Sequence, residues 1–482
     1  MQELHPIFKI TGLLMMILGA VMMLPAMVDI SYNNEDWTVF AGSSAAIFFF
    51  GTSLLLSQNT PITHMSMRQA FIMVNFAWFA CAAVGAVPFV LSQVHLSITD
   101  AFFEAMSGIT TTGSTVLTGL DDLPPGILLW RSILQWIGGL GIIVTAISFF
   151  PALNIGGMQM FKVEAFEVDS KTFPRAAQIS AGLISVYLFL TIACALALWG
   201  AGMSTLEAFS HAMSTLATGG FSTSDGSVGH FDSPLIEGII TLGMAAGGIP
   251  FLAYVRLFMG KKSSFFKDEQ IRTYLVILGY SILALTLWLM LTRHMSFGQS
   301  LRFSSFNVVS IMTGTGFAST DYLLWGAFPA ALLFLLTLVG GCAGSTACGM
   351  KVFRFQILFR ATTLHLQKLI MPSSVRRLYY RGRHVDQELK SSVQSFFYLF
   401  TVTLAGLTIA LTATGLDVLT ALSGAATAMA NVGPGLGDII GPSGTFQTLP
   451  DSAKWLLSAG MLVGRLEILT VYVMFTRLFW KN

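Results

Sequence analysis

Charged side chains are scarce in this 482-residue chain: Asp, Glu, Lys and Arg make up 10%, against 54% hydrophobic residues and a mean hydropathy of +0.72. So little charge excludes an ordinary soluble globule. Cysteine is sparse too, with Cys81, Cys194, Cys342 and Cys348 scattered along the chain. No pair has the spacing of a zinc site or a disulfide framework, so all four read as small buried hydrophobes. No strand precedes the glycine-rich "GPGLGD" at 433–438, which removes a nucleotide-binding reading for this chain. No His/Glu or Ser/His arrangement suggests hydrolysis, so the chain is not expected to be an enzyme. His211 reads as a packing or vestibule residue. No linker is long enough to be a soluble domain, and no nucleic-acid partner is expected.

What is present is apolar length. Stretches such as 10–28, 69–99, 176–203, 322–350 and 391–416 reach or exceed the ~20 residues needed to cross a bilayer. The first lacks a basic leader and a small-residue cleavage site, and is expected to be a span rather than a cleaved signal. The chain therefore reads as an all-α polytopic membrane protein.

The few charges are unevenly placed. With the N-terminus inside, the inside segments are the N-terminus, the surroundings of Arg68, 160–177, 256–272, 351–390 and the C-terminal tail. These hold 21 of the 26 Lys and Arg, among them Arg376, Arg377, Arg381 and Arg383. Outside segments hold Arg131, Arg293, Arg302 and Lys454 with about fifteen acids, including Asp121, Asp122, Asp225, Asp232 and Asp321. Both termini are thus expected in the cytoplasm. The acidic outer face would concentrate cations. The basic stretch 351–390 reads as a docking surface or an interfacial helix.

A pattern recurs four times. "TTTGST" (110–115) has relatives in "LATGGFSTSD" (216–225), "MTGTGFASTD" (312–321) and "ANVGPGLGD" (430–438), aligned on Gly113, Gly220, Gly316 and Gly433 at spacings of 107, 96 and 117 residues. Each follows an amphiphilic segment too short to cross, and six residues before each glycine stands Ser107, Ser214, Ser310 or Thr427. The unit is a span, a half-length helix, a polar turn and a span. Two further N-terminal spans lie in 1–68, and the repeats occupy 69–177, 178–270, 271–390 and 391–482.

Irregular backbone is not tolerated against lipid, so these turns must be buried or face water and ions. Four half-helices meeting at their C-terminal, partially negative ends would favour a cation. Turn carbonyls could replace its hydration shell. The Thr and Ser hydroxyls either hold the turn or add ligands. Two other classes remain open: a secondary transporter with a midplane site, against which the common orientation of the repeats speaks, and a membrane enzyme, for which no titratable cluster appears.

The stretches 107–144, 216–234, 340–352 ("GGCAGSTACGMKV"), 431–437 ("NVGPGLG") and 464–470 ("GRLEILT") carry a resemblance over essentially the whole chain. It resembles the Trk/Ktr/HKT superfamily of potassium transporters, and the two extra N-terminal spans favour the Trk-type membrane subunits. The resemblance implies K+ uptake across a bacterial inner membrane. Its filter would comprise Thr111, Thr112, Gly113, Thr218, Gly219, Gly220, Thr315, Gly316, Asn431, Val432 and Gly433. It implies a gate in the third repeat's last span, at Gly340, Gly341, Gly344, Ser345, Thr346 and Gly349, with Arg465 as an electrostatic barrier below the filter. By itself Arg465 is a costly charge in a span that must face water or a partner, and Glu467 lies too close in sequence to share its helix face. The resemblance further implies a homodimer regulated by a TrkA-type cytosolic nucleotide-binding subunit carrying NAD or ATP. No cofactor is expected on this chain. Coupling to H+ or Na+, or transport of another small cation, stays open.

Overall fold

The computed structural model describes residues 5–57, 65–148, 176–260, 265, 267–373 and 376–481. Most of the basic segment 160–177 lies outside the described residues. Seven helices among the described residues are long and apolar enough to cross a membrane: His5–Ser31, Trp37–Leu56, Met67–Leu91, Pro125–Ile143, Ile179–Gly200, Glu269–Arg293 and Gln387–Thr412. The first two pack at backbone distance. A Cβ added at Gly12 would lie 2.9 Å from the Gly51 carbonyl oxygen, and Ser44 donates to the Gly19 carbonyl at 2.6 Å. Small residues allow such contact where no hydrophobic effect drives helices together.

Four shorter helices are Ile98–Ile109, Thr205–Ala217, Phe297–Thr313 and Val418–Ala430. The first has 12 residues and the second and fourth have 13, about 18–20 Å at 1.5 Å per residue, well short of a ~30 Å core. Each starts at a polar N-cap. Ser97, Ser204, Ser296 and Asp417 accept from the N–H three residues on, at 3.1, 3.3, 3.4 and 3.0 Å. The caps set the outer ends of these helices and leave their C-termini to the protein interior, where the last turns are fully buried.

The final spans of the second and fourth repeats depart from expectation. Sequence reasoning places a break in the third repeat only; the chain bends in three. After the second turn, Pro234–Gly247 and Phe251–Phe258 meet at 94°. Pro250 has no N–H to continue the ladder, and the Phe251 amide donates instead to the Gly344 carbonyl at 2.9 Å. In the third repeat, Ala327–Val339 stops at Gly340 (φ +75°) and helix resumes only at Val352. In the fourth, Asp451–Arg465 and Ile468–Phe475 meet at 109°, with Glu467 at φ +63° between them. The one strand pairing among the described residues is a two-stranded hairpin, Tyr379–Tyr380 against Arg383–His384.

Candidate ion-conduction site

The four turns share one backbone construction. Ser107, Ser214, Ser310 and Thr427 accept through their main-chain carbonyls from the N–H groups of Thr112, Gly219, Thr315 and Val432, at 2.8, 2.9, 2.9 and 3.1 Å. These bonds close each short helix as a left-handed C-terminal cap does. The left-handed residues are Thr111 (φ +53°), Thr218 (+51°), Gly314 (+80°) and Asn431 (+51°). Two residues on, Gly113, Gly220, Gly316 and Gly433 are left-handed again, at +86°, +80°, +82° and +62°. A threonine or asparagine in this region is strained by ~1–3 kcal/mol, a cost found chiefly where function requires the geometry. Gly314, absent from the sequence-derived set, avoids that strain in the third turn.

The turns meet in cyclic order. A Cβ at Gly113 would run into the Gly219 carbonyl oxygen, and one at Gly220 into that of Thr315. One at Gly316 would sit 3.3 Å from the Val432 carbonyl oxygen, and one at Gly433 3.2 Å from that of Thr112. First touches second, second third, third fourth, and fourth first. All eleven sequence-derived turn residues are brought together here. The four glycines border a mouth of ≈ 280 Å³.

Three of the turn threonines hold the turns through their hydroxyls, while Thr111 Oγ1 is buried with no hydrogen-bond partner among the described residues. Thr112 Oγ1 lies 2.8 Å from Thr110 Oγ1, Thr315 Oγ1 2.8 Å from Thr313 Oγ1, and Thr218 donates to the Ala217 carbonyl at 2.7 Å. Asn431 Nδ2 donates to Thr112 Oγ1 at 2.9 Å and to the Met461 carbonyl at 3.0 Å, tying the fourth turn to the first. The main-chain carbonyls differ. Those of Thr111, Thr112, Thr218, Thr315, Asn431 and Val432 accept no hydrogen bond among the described residues. Buried carbonyls without partners are rare and call for an external one.

Charged residues that sequence reasoning placed elsewhere support the ring. Arg131, assigned to an outside segment, is 1% exposed and pairs with Glu104, itself fully buried, at 2.8 Å. It also donates to the Ser222 carbonyl at 2.8 Å and to Thr115 Oγ1 at 3.1 Å, and stacks 4.1 Å from the Phe221 ring. The pair therefore clamps the first turn to the second. Gln135 adds a bond to the Gly219 carbonyl at 2.6 Å and accepts from the Phe221 N–H at 3.1 Å. His211 bridges the Glu207 carbonyl and Ser222 Oγ at 2.9 and 3.0 Å, a packing role. An acid inside a half-helix and an arginine inside an apolar run were the available signals.

At the inner ends of the turns lies the segment 340–351, most of it buried. Thr346 Oγ1 donates to the carbonyls of Leu216 and Gly247 at 2.9 and 3.0 Å, reaching the end of the second short helix. The Cys342 amide donates to Gly248 at 3.0 Å and the Ala343 amide to Gln270 Oε1 at 2.6 Å. Gly340 and Gly349, both left-handed, pinch the loop shut: a Cβ at Gly349 would lie 2.8 Å from Gly340 Cα. Gly341, Gly344 and Ser345 complete the segment, and Ser345 Oγ donates to the Cys342 carbonyl at 2.6 Å.

Arg465, 3% exposed, joins three repeats. Its guanidinium donates to the Thr346 carbonyl at 3.2 Å and to the Gly138 carbonyl at 3.0 Å, and approaches Cys348 Sγ at 2.6 Å. No carboxylate among the described residues neutralises it. Glu467 turns away to Lys351 at 3.0 Å and Arg354 at 2.5 Å. Changing Glu467→Gln leaves two buried cations without a counter-charge, which should destabilise the protein by ~3–5 kcal/mol. A lowered thermal unfolding midpoint of the purified protein is the expected reading; an unchanged midpoint means that water reaches Lys351 and Arg354.

Similar proteins place this geometry. Residues 35–481 match the TrkH family model, described as a cation transport protein. The Trk system potassium uptake protein TrkI of Halomonas elongata is 42% identical over 99% of this chain and 97% of its own. The Trk system potassium uptake protein TrkH of Escherichia coli K12 is 36% identical over 99% of each. The crystal structure of the potassium transporter TrkH from Vibrio parahaemolyticus superposes with a TM-score of 0.92 at 35% identity, covering 100% of both chains. Built on the same four-repeat frame and matched along nearly its whole length, the chain belongs to the TrkH family of cation transport proteins.

Proposed function

We propose that this chain takes up potassium ions across a bacterial inner membrane, with both termini in the cytoplasm, through the ring of turns acting as a selectivity filter. One observation carries the reading: buried carbonyls without protein partners, gathered from four turns at the C-terminal ends of four short helices. Such oxygens suit a dehydrated monovalent cation. Helix ends of that polarity add to the attraction. The potassium uptake named for the relatives supports K+ as the ion.

The loop 340–351 and Arg465 form the gate in this reading, the first by occupying the path and the second by its unneutralised charge. Thr346→Val keeps the side chain's shape and removes the hydroxyl proton shared between the Leu216 and Gly247 carbonyls, a bond worth ~0.5–1.5 kcal/mol. It should loosen the loop and raise basal K+ flux several-fold; flux at the wild-type level would place the loop outside the conduction path. Regulation comes from a TrkA-type cytosolic subunit binding NAD or ATP, acting on the helix Val352–Ile370 that continues directly from the loop. The membrane subunit works as a homodimer, as the likeness to Trk-type subunits suggests.

The test is K+ and Na+ flux into liposomes holding the purified chain alone, under an imposed voltage and without a proton or sodium gradient. Downhill, K+-selective flux supports a gated pore. Flux that requires a proton or sodium gradient would replace it with coupled symport.

A further inference from the structure

A cavity of ≈ 400 Å³ opens between the helix Val352–Ile370, the hairpin at 379–384 and the start of the helix Gln387–Thr412. Its walls carry His365, Lys368, Arg376, Arg377 and Lys390 against one carboxylate, Asp386. Asp386 already caps the following helix, accepting from the Leu389 N–H at 2.8 Å. Arg376 donates to Gln367 at 2.8 Å. The side chains of Lys368, Arg377 and Lys390 have no hydrogen bond or ion pair among the described residues. Several cations held around one hollow repel one another unless an anion enters.

The helix that forms one wall is two-faced. Ala361, His365 and Lys368, spaced four and three apart, line the cavity. Phe359, Leu366 and Ile370, spaced seven and four apart, form a separate stripe and are 74%, 56% and 79% exposed. A basic face opposite an exposed apolar stripe suits a helix lying at a membrane surface. With the stripe in the acyl region, the cavity sits at headgroup depth. This is also the basic side of the molecule, which faces the anionic leaflet.

We propose that this cavity binds the phosphodiester headgroup of an anionic phospholipid, held by Lys368, Arg377 and Lys390. The shared chemistry is a phosphate oxyanion. The cavity's lining includes Gln387 and Lys390, at the start of the membrane-length helix Gln387–Thr412, and this position at the bilayer surface favours the lipid over free phosphate.

The experiment reconstitutes the full chain in vesicles of mixed phosphatidylcholine and phosphatidylglycerol, extracts it in a neutral detergent, and measures by mass spectrometry which lipid stays bound. Wild-type protein should retain phosphatidylglycerol above its bulk share. The triple variant Lys368→Gln, Arg377→Gln, Lys390→Gln should lose about fivefold of that preference per cation removed. A control pair on the same side, Arg477→Gln with Lys481→Gln, should keep it. If the triple variant does not fold, Lys368→Glu alone is read by the same measure. Equal enrichment in wild type and variant overturns the proposal, as does equal loss in the control pair. Displacement of the retained lipid by inorganic phosphate would make the cavity a free-anion site. No enrichment at all would leave these cations to a protein partner.

Discussion

Gly113→Ser should lower discrimination of K+ over Na+ by at least about tenfold. The position is left-handed, at φ +86°, and a Cβ there runs into the Gly219 carbonyl oxygen. An L-residue in that region costs ~1–2 kcal/mol before any clash is counted. Gln135 holds the Gly219 carbonyl on its other side at 2.6 Å, so the ring cannot absorb the added atom by a small local shift. The backbone must move instead, and carbonyl positions are what separates two ions differing in size. A loss of ~1.4 kcal/mol in the energy difference between them is tenfold. Gly119→Ser is the control, because Gly119 is also left-handed (φ +70°) but has open space where the Cβ would go. The permeability ratio under bi-ionic conditions decides. An unaltered ratio in Gly113→Ser, or an equal change in Gly119→Ser, would remove Gly113 from the filter.

Arg465→Ala should raise cation flux through the isolated chain by roughly a hundredfold. A unit charge about 6 Å from a passing cation, at an effective dielectric constant of about 20, raises that cation's energy by ~3 kcal/mol. In rate this is close to a hundredfold. Two consequences of the substitution act in the same direction. The charge disappears, and so do the bonds that tie Thr346 on the loop to Gly138 on the first repeat. Arg465→Lys separates them, since it keeps the charge while losing the two-sided guanidinium grip. Low flux in Arg465→Lys with high flux in Arg465→Ala assigns the effect to charge. High flux in both assigns it to the loop's anchorage. Wild-type flux in Arg465→Ala, with the protein folded, would end the barrier role.

Much of this molecule was legible from its sequence because the relevant signals are local. Hydropathy accumulates over contiguous residues, so the membrane class and most spans follow from runs of apolar side chains. The four turns announce themselves by a glycine with a small hydroxyl six residues earlier, and that hydroxyl marks the carbonyl that closes the helix. Where sequence reasoning fell short, the missing information lay far away along the chain. Glu467 stands two residues from Arg465 yet pairs with Lys351 and Arg354, more than a hundred residues away. Arg131 looked like an external charge and is instead buried against Glu104. The threonine hydroxyls could have faced an ion or braced the turn, and only the distances of Thr112 and Thr315 to Thr110, Thr313 and Asn431 decided for bracing at those two positions. The bends after the second and fourth turns likewise depend on what the freed backbone groups can reach, as Phe251 reaches Gly344. Sequence alone thus determined a four-repeat membrane protein with a candidate oxygen-lined turn in each repeat, because each of those features is written within some twenty consecutive residues. Tertiary structure decided the ring, its braces and the partners of each buried charge, because the energy of a buried polar group is set by whatever distant segment packs against it.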